Sequence, residues 1–156
     1  MNVSVMSVFR SFVGFVAVTS LAVGCSGSPV LPSSSSSSAN GSQSITAGQL
    51  SGTWNVVSIQ PNGEAEQAAP AAATYSLMLA DGRLSTRTDC NSCVGAFALS
   101  GQTLTAGPAL ACTRAACPTM AFENRYTTLL SGDSTVTLSG STLSLSSPRG
   151  VLRFTR

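Results

Sequence analysis

Residues 75–105 read YSLMLADGRLSTRTDCNSCVGAFALSGQTLT, and the pattern of this stretch predicts an antiparallel β domain. Apolar and polar side chains alternate here in short runs, which is the period of a half-buried antiparallel strand. Two dipeptides, Asp81-Gly82 and Ser100-Gly101, separate the runs. Such pairs suit a tight hairpin turn, and Asp-Gly accommodates its positive φ angles. The stretch therefore predicts four antiparallel strands, at residues 75–79, 83–88, 94–99 and 102–105.

The same pattern extends to both sides of this stretch. A first run covers residues 53–59, and a Ser139-Gly140 turn joins two alternating runs before residues 151–155 close the domain. About eight strands are predicted in all. Against them stands one helix over residues 118–130, where Pro118 suits the first turn and apolar side chains recur on one face. These elements predict an α+β domain, mostly β, in which one helix covers an antiparallel sheet or open barrel.

Composition and charge exclude several classes of function. The 156 residues include 8 basic and 6 acidic side chains, for a net charge of +2, and no histidine. Without histidine the chain has no imidazole base, no Ser-His-Asp triad and no histidine-ligated metal. A net charge of +2 is too small to neutralise many backbone phosphates, and nucleic acid is therefore not an expected partner. We expect no metal and no other cofactor, and we do not expect an enzyme.

The N-terminus has the pattern of an export signal. One basic residue, Arg10, precedes an uncharged run over residues 11–23 that is too short to span a bilayer. The run leads into Leu21-Ala22-Val23-Gly24-Cys25, which resembles the lipobox of bacterial lipoproteins. Residues 1–24 are therefore predicted to be a lipoprotein signal peptide, with a lipid on Cys25 as the membrane anchor. Ordinary secretion, with Cys25 unpaired or discarded, is the alternative, and both predict that the protein leaves the cytoplasm.

A polar segment separates this signal from the β-rich part of the chain. Residues 25–47 are rich in Ser, Gly, Pro and Asn, with six consecutive serines at 33–38. A flexible tether with an r.m.s. reach of roughly 25 Å is expected. The predicted organisation is a signal peptide at 1–24, a lipidated tether at 25–47 and one domain at 48–156. The protein is thus expected to be exported and lipid-anchored in the cell envelope, at the outer membrane or the cell surface.

Four cysteines, Cys90, Cys93, Cys112 and Cys117, lie within the predicted domain. In an exported chain an even number of cysteines favours disulfides. A zinc site or a redox pair is the alternative, but the second pair is loosely spaced for zinc and no helix follows Cys93. The sequence does not choose among the possible pairings. The hairpin predicted at 94–105 favours Cys90–Cys117 and Cys93–Cys112, because its ends return the two segments to each other.

These features together resemble the META domain, the module of the HslJ-type heat-shock protein and of many bacterial envelope lipoproteins. The resemblance runs in family order from about Leu50 to Phe154. Four motifs carry it: Leu50-x-Gly52-Thr53-Trp54, Asp81-Gly82-Arg83-Leu84-Ser85, Cys90-Asn91 with Gly95-x-Phe97, and Thr113-x-x-Ala116-Cys117 with Met120-x-x-Glu123.

The resemblance implies a small β-barrel-like α+β domain with one packed helix, in which the motif residues are structural. It also implies links to heat shock and to the cell envelope, and no established enzymatic activity. The sequence departs from the family pattern at Thr86 and Asp89, where glycine is usual, and in the additional Cys93 and Cys112. The additional cysteines suggest an added disulfide.

Two side chains are candidates for ligand binding. Trp54 can stack on a ligand, but in a first strand with Val56 and Ile59 nearby it is expected to anchor the core. Asn91 can orient a ligand, but it is expected to hold a turn through its own side chain.

The carboxylates Asp89 and Glu123 are the candidates for acid-base chemistry. Glu123 more simply offsets the dipole at a helix N-terminus, and Asp89 lies in a loop before a cysteine. Hydrolysis by this pair requires the two to face each other across a cleft. Arg83, Arg87 and Arg114 are a candidate patch for an anionic ligand, because Arg83 and Arg87 share a strand face; a solvated face explains the same pattern.

The expected function is that of a membrane-tethered, non-enzymatic envelope protein that binds a partner or supports envelope integrity under stress. The membrane is the expected partner, through the lipid on Cys25, and an envelope protein is the second. The alternative is an exported inhibitor, which presents the loop at 106–111 to a protease or a lysozyme-type hydrolase from a disulfide-stapled scaffold.

Overall fold

The structure is a computed structural model, which describes residues 44–156. Cys25 and the predicted signal peptide lie outside the described residues, as does the predicted tether up to residue 43. Within residues 44–156, no helix is both long enough and apolar enough to cross a bilayer.

The described part of the chain forms strands and two helices. In chain order they are α1 (Ala47–Leu50), β1 (Gly52–Pro61), β2 (Gln67–Ala68), β3 (Tyr75–Ala80), β4 (Arg83–Thr88), β5 (Asn91–Ser100), β6 (Thr103–Ala106), β7 (Ala111–Cys112), α2 (Met120–Leu130), β8 (Gly132–Ser139), β9 (Thr142–Ser147) and β10 (Gly150–Thr155). The predicted class, α+β and mostly β, is confirmed.

Eight of the strands close into an antiparallel barrel. Their order around it is β1, β3, β4, β5, β6, β8, β9 and β10. The last strand pairs with the first, so that Asn55 lies opposite Thr155 and Ile59 opposite Leu152. The two-residue strands β2 and β7 lie beside β1 and β5. Closure pairs each barrel strand on both sides and so satisfies its backbone hydrogen-bonding groups.

Three hairpins turn at the predicted dipeptides, which join β3 to β4, β5 to β6 and β8 to β9. Asp81 and Gly82 have positive φ angles of 48° and 72°. Two successive left-handed residues make a type I′ turn, whose twist matches that of the flanking strands. This local chemistry sets the register of β4, and with it the side chains that face into the barrel.

Inward-facing side chains fill the barrel. Among the largest are Trp54, Tyr126 and Phe154, none of which is more than 1% exposed. Burial of one Leu, Phe or Ile side chain contributes about 1.5–3 kcal/mol. Helix α2 lies against β1 and β10. The ring of Tyr75 on β3 meets Phe122 and Tyr126 of α2 edge-on, with centroids 4.8 and 5.9 Å apart.

The four-residue helix α1 is not among the predicted elements. Its start is a capping box: the Thr46 hydroxyl accepts from the Gln49 N–H, and the Gln49 side chain accepts from the Thr46 N–H at 2.8 Å. Thr-x-x-Gln is a readable signal for a helix N-terminus. Leu50, its last residue, is fully buried and its carbonyl accepts a hydrogen bond from Trp54 Nε1 at 2.8 Å. The end of α1 therefore belongs to the core.

Candidate functional site

Two disulfides join the start of β5 to the segment that leads into α2. Cys90 pairs with Cys117 and Cys93 with Cys112, with Cα–Cα distances of 5.9 and 4.0 Å. Cys93 and Cys112 also lie opposite each other in the β5–β7 ladder. This is the pairing that the predicted hairpin favours. The bridges span 27 and 19 residues of sequence, and a bridge of this span contributes about 3 kcal/mol in the chain-entropy model.

Between the bridges, Asn91 is buried, and its side-chain amide binds the facing segment. Asn91 Oδ1 accepts hydrogen bonds from the Ala115 backbone N–H at 2.7 Å and from the Thr113 hydroxyl at 3.0 Å. Asn91 Nδ2 donates to the Ala115 carbonyl at 3.0 Å. The amide therefore satisfies both backbone groups of Ala115, as a peptide group of a neighbouring strand does.

The same Nδ2 faces a buried carboxylate. Glu123, in the first turn of α2, is 5% exposed, and its Oε1 and Oε2 lie 3.1 and 3.2 Å from Asn91 Nδ2. Hydrogen bonds to a charged acceptor are stronger than neutral ones, and a helix N-terminus favours negative charge. Asn91 thus ties β5, the segment before α2 and α2 itself together. We call Asn91, Thr113, Ala115 and Glu123 the Asn91 network.

A second polar chain runs from Asp89 to Tyr75. Asp89 has a φ of 52°, and its Oδ2 accepts a hydrogen bond from Thr119 Oγ1 at 2.7 Å. Because the Thr119 hydroxyl donates its only proton to Asp89, the Tyr75 hydroxyl, 2.7 Å away, donates to Thr119. Burial raises the pKa of Tyr75, and the charges of Glu123 and Asp89 raise it further. Asp89 thus holds Thr119, the residue that precedes α2.

A third pair of hydroxyls lies between α2 and the barrel wall. Thr86 Oγ1 donates to the Ser76 carbonyl at 2.7 Å, so the Tyr126 hydroxyl, 2.8 Å from it, donates to Thr86. Tyr126 is fully buried, and burial raises the pKa of its hydroxyl far above the usual value. Thr88, also fully buried, has a hydroxyl with no hydrogen-bond partner among the described residues. Thr86, one of the two positions that depart from the resemblance, supplies the partner of a buried tyrosine.

The two carboxylates considered for acid-base chemistry have separate partners. Glu123 is bound by Asn91 and Asp89 by Thr119. A groove of about 400 Å³ beside α2 includes neither carboxylate in its lining. Both carboxylates hold α2 to the β4–β5 hairpin.

The remaining motif residues lie in the core, in turns or at the surface. Trp54 is fully buried in β1. Gly52 has a φ of 115° between α1 and the body of β1, where a residue with a Cβ is strained. A Cβ on Gly95 would lie 2.7 Å from Leu110 Cδ2, so glycine lets Leu110 pack against β5. Ala116 is exposed, and nothing in the structure explains its place in the motif.

The three arginines of the candidate anionic-ligand patch, Arg83, Arg87 and Arg114, are all exposed. Arg83 and Arg87 lie on β4, where every second residue, from Leu84 on, is buried. The two arginines therefore face outward. The ion pairs within residues 44–156 involve other arginines, Arg125 with Glu64 at 2.9 Å and Arg153 with Glu66 at 3.2 Å.

Comparison with known proteins identifies the domain that carries these features. The model of one family, the META domain, matches residues 46–156. The chain belongs to the META domain family. An NMR structure of a protein from Burkholderia xenovorans is similar to this META domain, with a TM-score of 0.59 and 24% identity; the match covers 70% of this chain and 85% of that one. A second NMR structure has a TM-score of 0.57 and 23% identity, and covers 71% of this chain and 94% of its own. At this identity the likeness shows the fold alone, and no curated protein matches the chain.

In this META domain the asparagine of the Cys90-Asn91 motif makes contacts over a longer sequence distance than the sequence predicts. The sequence predicts that Asn91 holds its own turn, but its side chain binds Ala115 and Glu123, 24 and 32 residues away. Thr113 belongs to the motif that leads into the helix, whereas Ala115 is not among the predicted residues. Ala115 takes part through backbone atoms only, so no side-chain signal marks it.

Proposed function

We propose that this META domain is an exported, lipid-anchored protein of the cell envelope that acts by binding and not by catalysis. The two disulfides are the observation that carries the proposal, because such bridges persist in oxidising compartments outside the cytoplasm. The sequence Leu21-Ala22-Val23-Gly24-Cys25 supplies the anchor. A lipid on Cys25 then holds the domain at the outer membrane or the cell surface.

The partners of the carboxylates support binding over catalysis. Glu123 is buried against the Asn91 amide, and Asp89 accepts a hydrogen bond from the Thr119 hydroxyl at 2.7 Å. A general base must reach the proton of a substrate, but Glu123 is buried and neither carboxylate lines the groove beside α2. Their contribution is to the shape of the domain.

The closed barrel and its cross-links also suit a protein that supports envelope integrity under stress. The barrel is closed, the helix that covers it is tied by the Asn91 network, and two disulfides restrain the unfolded chain. Such a domain keeps its surface in order when temperature or solvent changes. We propose that this surface binds an envelope protein.

Intact mass of the protein from its native membrane fraction tests the anchor and the disulfides. Thiols are alkylated with and without prior reduction, and Cys25→Ser is the matched variant. A diacyl or triacyl increment on Cys25, with the other four cysteines alkylated only after reduction, supports the proposal. A soluble, unlipidated protein with free thiols contradicts it and favours zinc or redox chemistry at the cysteines.

A second candidate function, inhibition of a hydrolase, follows from one loop. Residues 107–110 join β6 to β7, Pro108 and Ala109 are exposed, and the Cys93–Cys112 bridge holds the far end of the loop. An exposed loop on a rigid scaffold is suited to inhibition. Lysozyme and a serine protease, assayed with micromolar domain, test this: inhibition that is lost when the loop is replaced by glycine and serine supports it, and unchanged activity contradicts it.

A further inference from the structure

One outward-facing row of residues crosses the barrel wall without a charge. In the register of the sheet, Thr53 lies opposite Met78, Met78 opposite Ser85, Ser85 opposite Val94 and Val94 opposite Ala111. Met78 is 47% exposed and Val94 is 56% exposed, and both are among the most exposed large apolar side chains of the described residues. Met78 on β3 and Val94 on β5 flank Ser85 on β4, so a small residue lies between two apolar ones.

Cations lie on both sides of this row. Arg83 and Arg87 are two residues before and after Ser85 on β4, and therefore face outward with it. Neither forms an ion pair within residues 44–156. Arg114 lies at the Arg87 end, since the neighbouring Thr113 donates its N–H to the carbonyl of Ser92, which is paired with Arg87.

The acidic groups at the border of this face are Asp81 and Asp89, one in each turn that flanks β4. Asp89 is bound to Thr119, whereas Asp81 is exposed. A groove of about 240 Å³ lies in the face, and its lining includes Met78, Ala80, Ser85 and Val94 together with two charged side chains, Arg83 and Asp81. An apolar floor edged by guanidinium groups is the chemistry of a surface that meets lipid: the apolar side chains enter the headgroup boundary and arginines bind phosphates.

We propose that this face, named the Met78–Val94 face, lies against an anionic lipid bilayer. The inference rests on the proposed lipid anchor, because eighteen residues, 26–43, separate Cys25 from the described domain. The tether that the sequence predicts there has an expected reach of roughly 25 Å, and such a tether keeps a domain next to the bilayer at a high effective concentration. A face that binds anionic lipid weakly is then occupied most of the time.

The two methionines outside the predicted signal peptide, Met78 and Met120, supply the test. Met120, at the start of α2, is 36% exposed and serves as the internal control. The lipidated protein is reconstituted in vesicles of phosphatidylcholine, in vesicles that also contain one quarter phosphatidylglycerol, and in detergent micelles. Each sample is treated with hydrogen peroxide, which converts exposed methionine to its sulfoxide, and the two oxidation rates are compared by mass spectrometry.

We expect the oxidation of Met78 to slow about fivefold or more relative to Met120 in the anionic vesicles alone. An arginine near an anionic surface contributes about fivefold to binding, so Arg83→Gln with Arg87→Gln weakens it about 25-fold and removes the protection. Arg125→Gln with Arg153→Gln, which removes the same charge from the ion-paired arginines, leaves the protection in place. Val94→Ser reduces the protection by removing apolar area.

The outcomes separate this inference from the anchor on which it rests. Equal oxidation of Met78 and Met120 in anionic vesicles that retain the protein overturns the docked face and leaves the anchor intact. Protection that persists in micelles shows a second copy or another protein on this face and also overturns it. A protein without lipid fails to remain in the vesicles. It is then added from solution to anionic vesicles at millimolar lipid, which replaces the effective concentration of the tether; protection of Met78 there still supports the face, and its absence refutes it.

Discussion

Replacing Asn91 with alanine removes the side chain that joins three segments of the domain. Four hydrogen bonds are lost: two with the backbone of Ala115, one with Thr113 and one that the two oxygens of the Glu123 carboxylate share, at 2.7–3.2 Å. A neutral hydrogen bond contributes about 1 kcal/mol net and one to a charged group about 1.5–3 kcal/mol. The carboxylate of Glu123 also stays buried without its donor.

We therefore expect Asn91→Ala to lower the free energy of unfolding by about 4 kcal/mol, a large share of the roughly 5–15 kcal/mol of a typical domain. The assay is urea unfolding at pH 7 with the disulfides intact. The only tryptophan of the chain, Trp54, is fully buried and reports the transition by fluorescence. Asn124→Ala is the matched control, since Asn124 is exposed on α2, and it should stay within about 0.5 kcal/mol of the parent.

The same substitution in the Glu123→Gln variant separates the cost of the buried charge from the cost of the lost hydrogen bonds. In Glu123→Gln the acceptor oxygen remains but the charge is gone, so Asn91→Ala should cost at least about 1 kcal/mol less there. The reasoning is refuted if Asn91→Ala costs under about 1 kcal/mol, or if its cost is the same in both backgrounds.

Other predictions concern the backbone, the tyrosines and the disulfides. Gly150 has a φ of 146°, and a Cβ there would lie within 3 Å of backbone atoms of residues 60 and 61; Gly150→Ala should lower the melting temperature far more than Gly140→Ala, whose site is open, and equal shifts would count against this. The raised pKa of Tyr126 contributes stability that is present below its ordinary pKa of 10.0 and is lost as the pH rises. Urea titrations should thus show a loss of up to about 1.4 kcal/mol per pH unit above pH 10, and an unchanged slope in Tyr126→Phe would refute the assignment. Replacing Cys93 and Cys112 by alanine should cost about 3 kcal/mol in the same titration; no change in the urea midpoint would mean that this bridge does not restrain the unfolded chain.

The hairpins of this domain could be predicted because turn chemistry is local. Asp81-Gly82 and the two Ser-Gly pairs carry their backbone preference in the dipeptide itself, and each lies between strands of the expected period. The helix was predicted over 118–130 and begins at Met120, two residues later. The signal for α1, Thr46 with Gln49, was present but lies in the segment predicted as tether.

Long-range pairing could not be predicted in the same way. Asn55 and Thr155 lie opposite each other in the closing pair of strands, yet nothing local in either residue specifies the other. The Asn91 network is of the same kind, since the amide of Asn91 selects the backbone of Ala115, and a backbone group has no signature in the sequence. The disulfide pairing is easier to predict, because four cysteines allow only three pairings.

The first barrel strand, β1, pairs with the last, β10, so the barrel cannot close until β10 is present. The six residues of β10 are hydrogen-bonded to β1 on one side and to β9 on the other. A chain that ends before them leaves two unpaired strand edges, which invite proteolysis and pairing with other chains. Synthesis must therefore pass residue 155 before any copy becomes resistant to proteases, and copies that stop earlier expose the edges by which they are degraded.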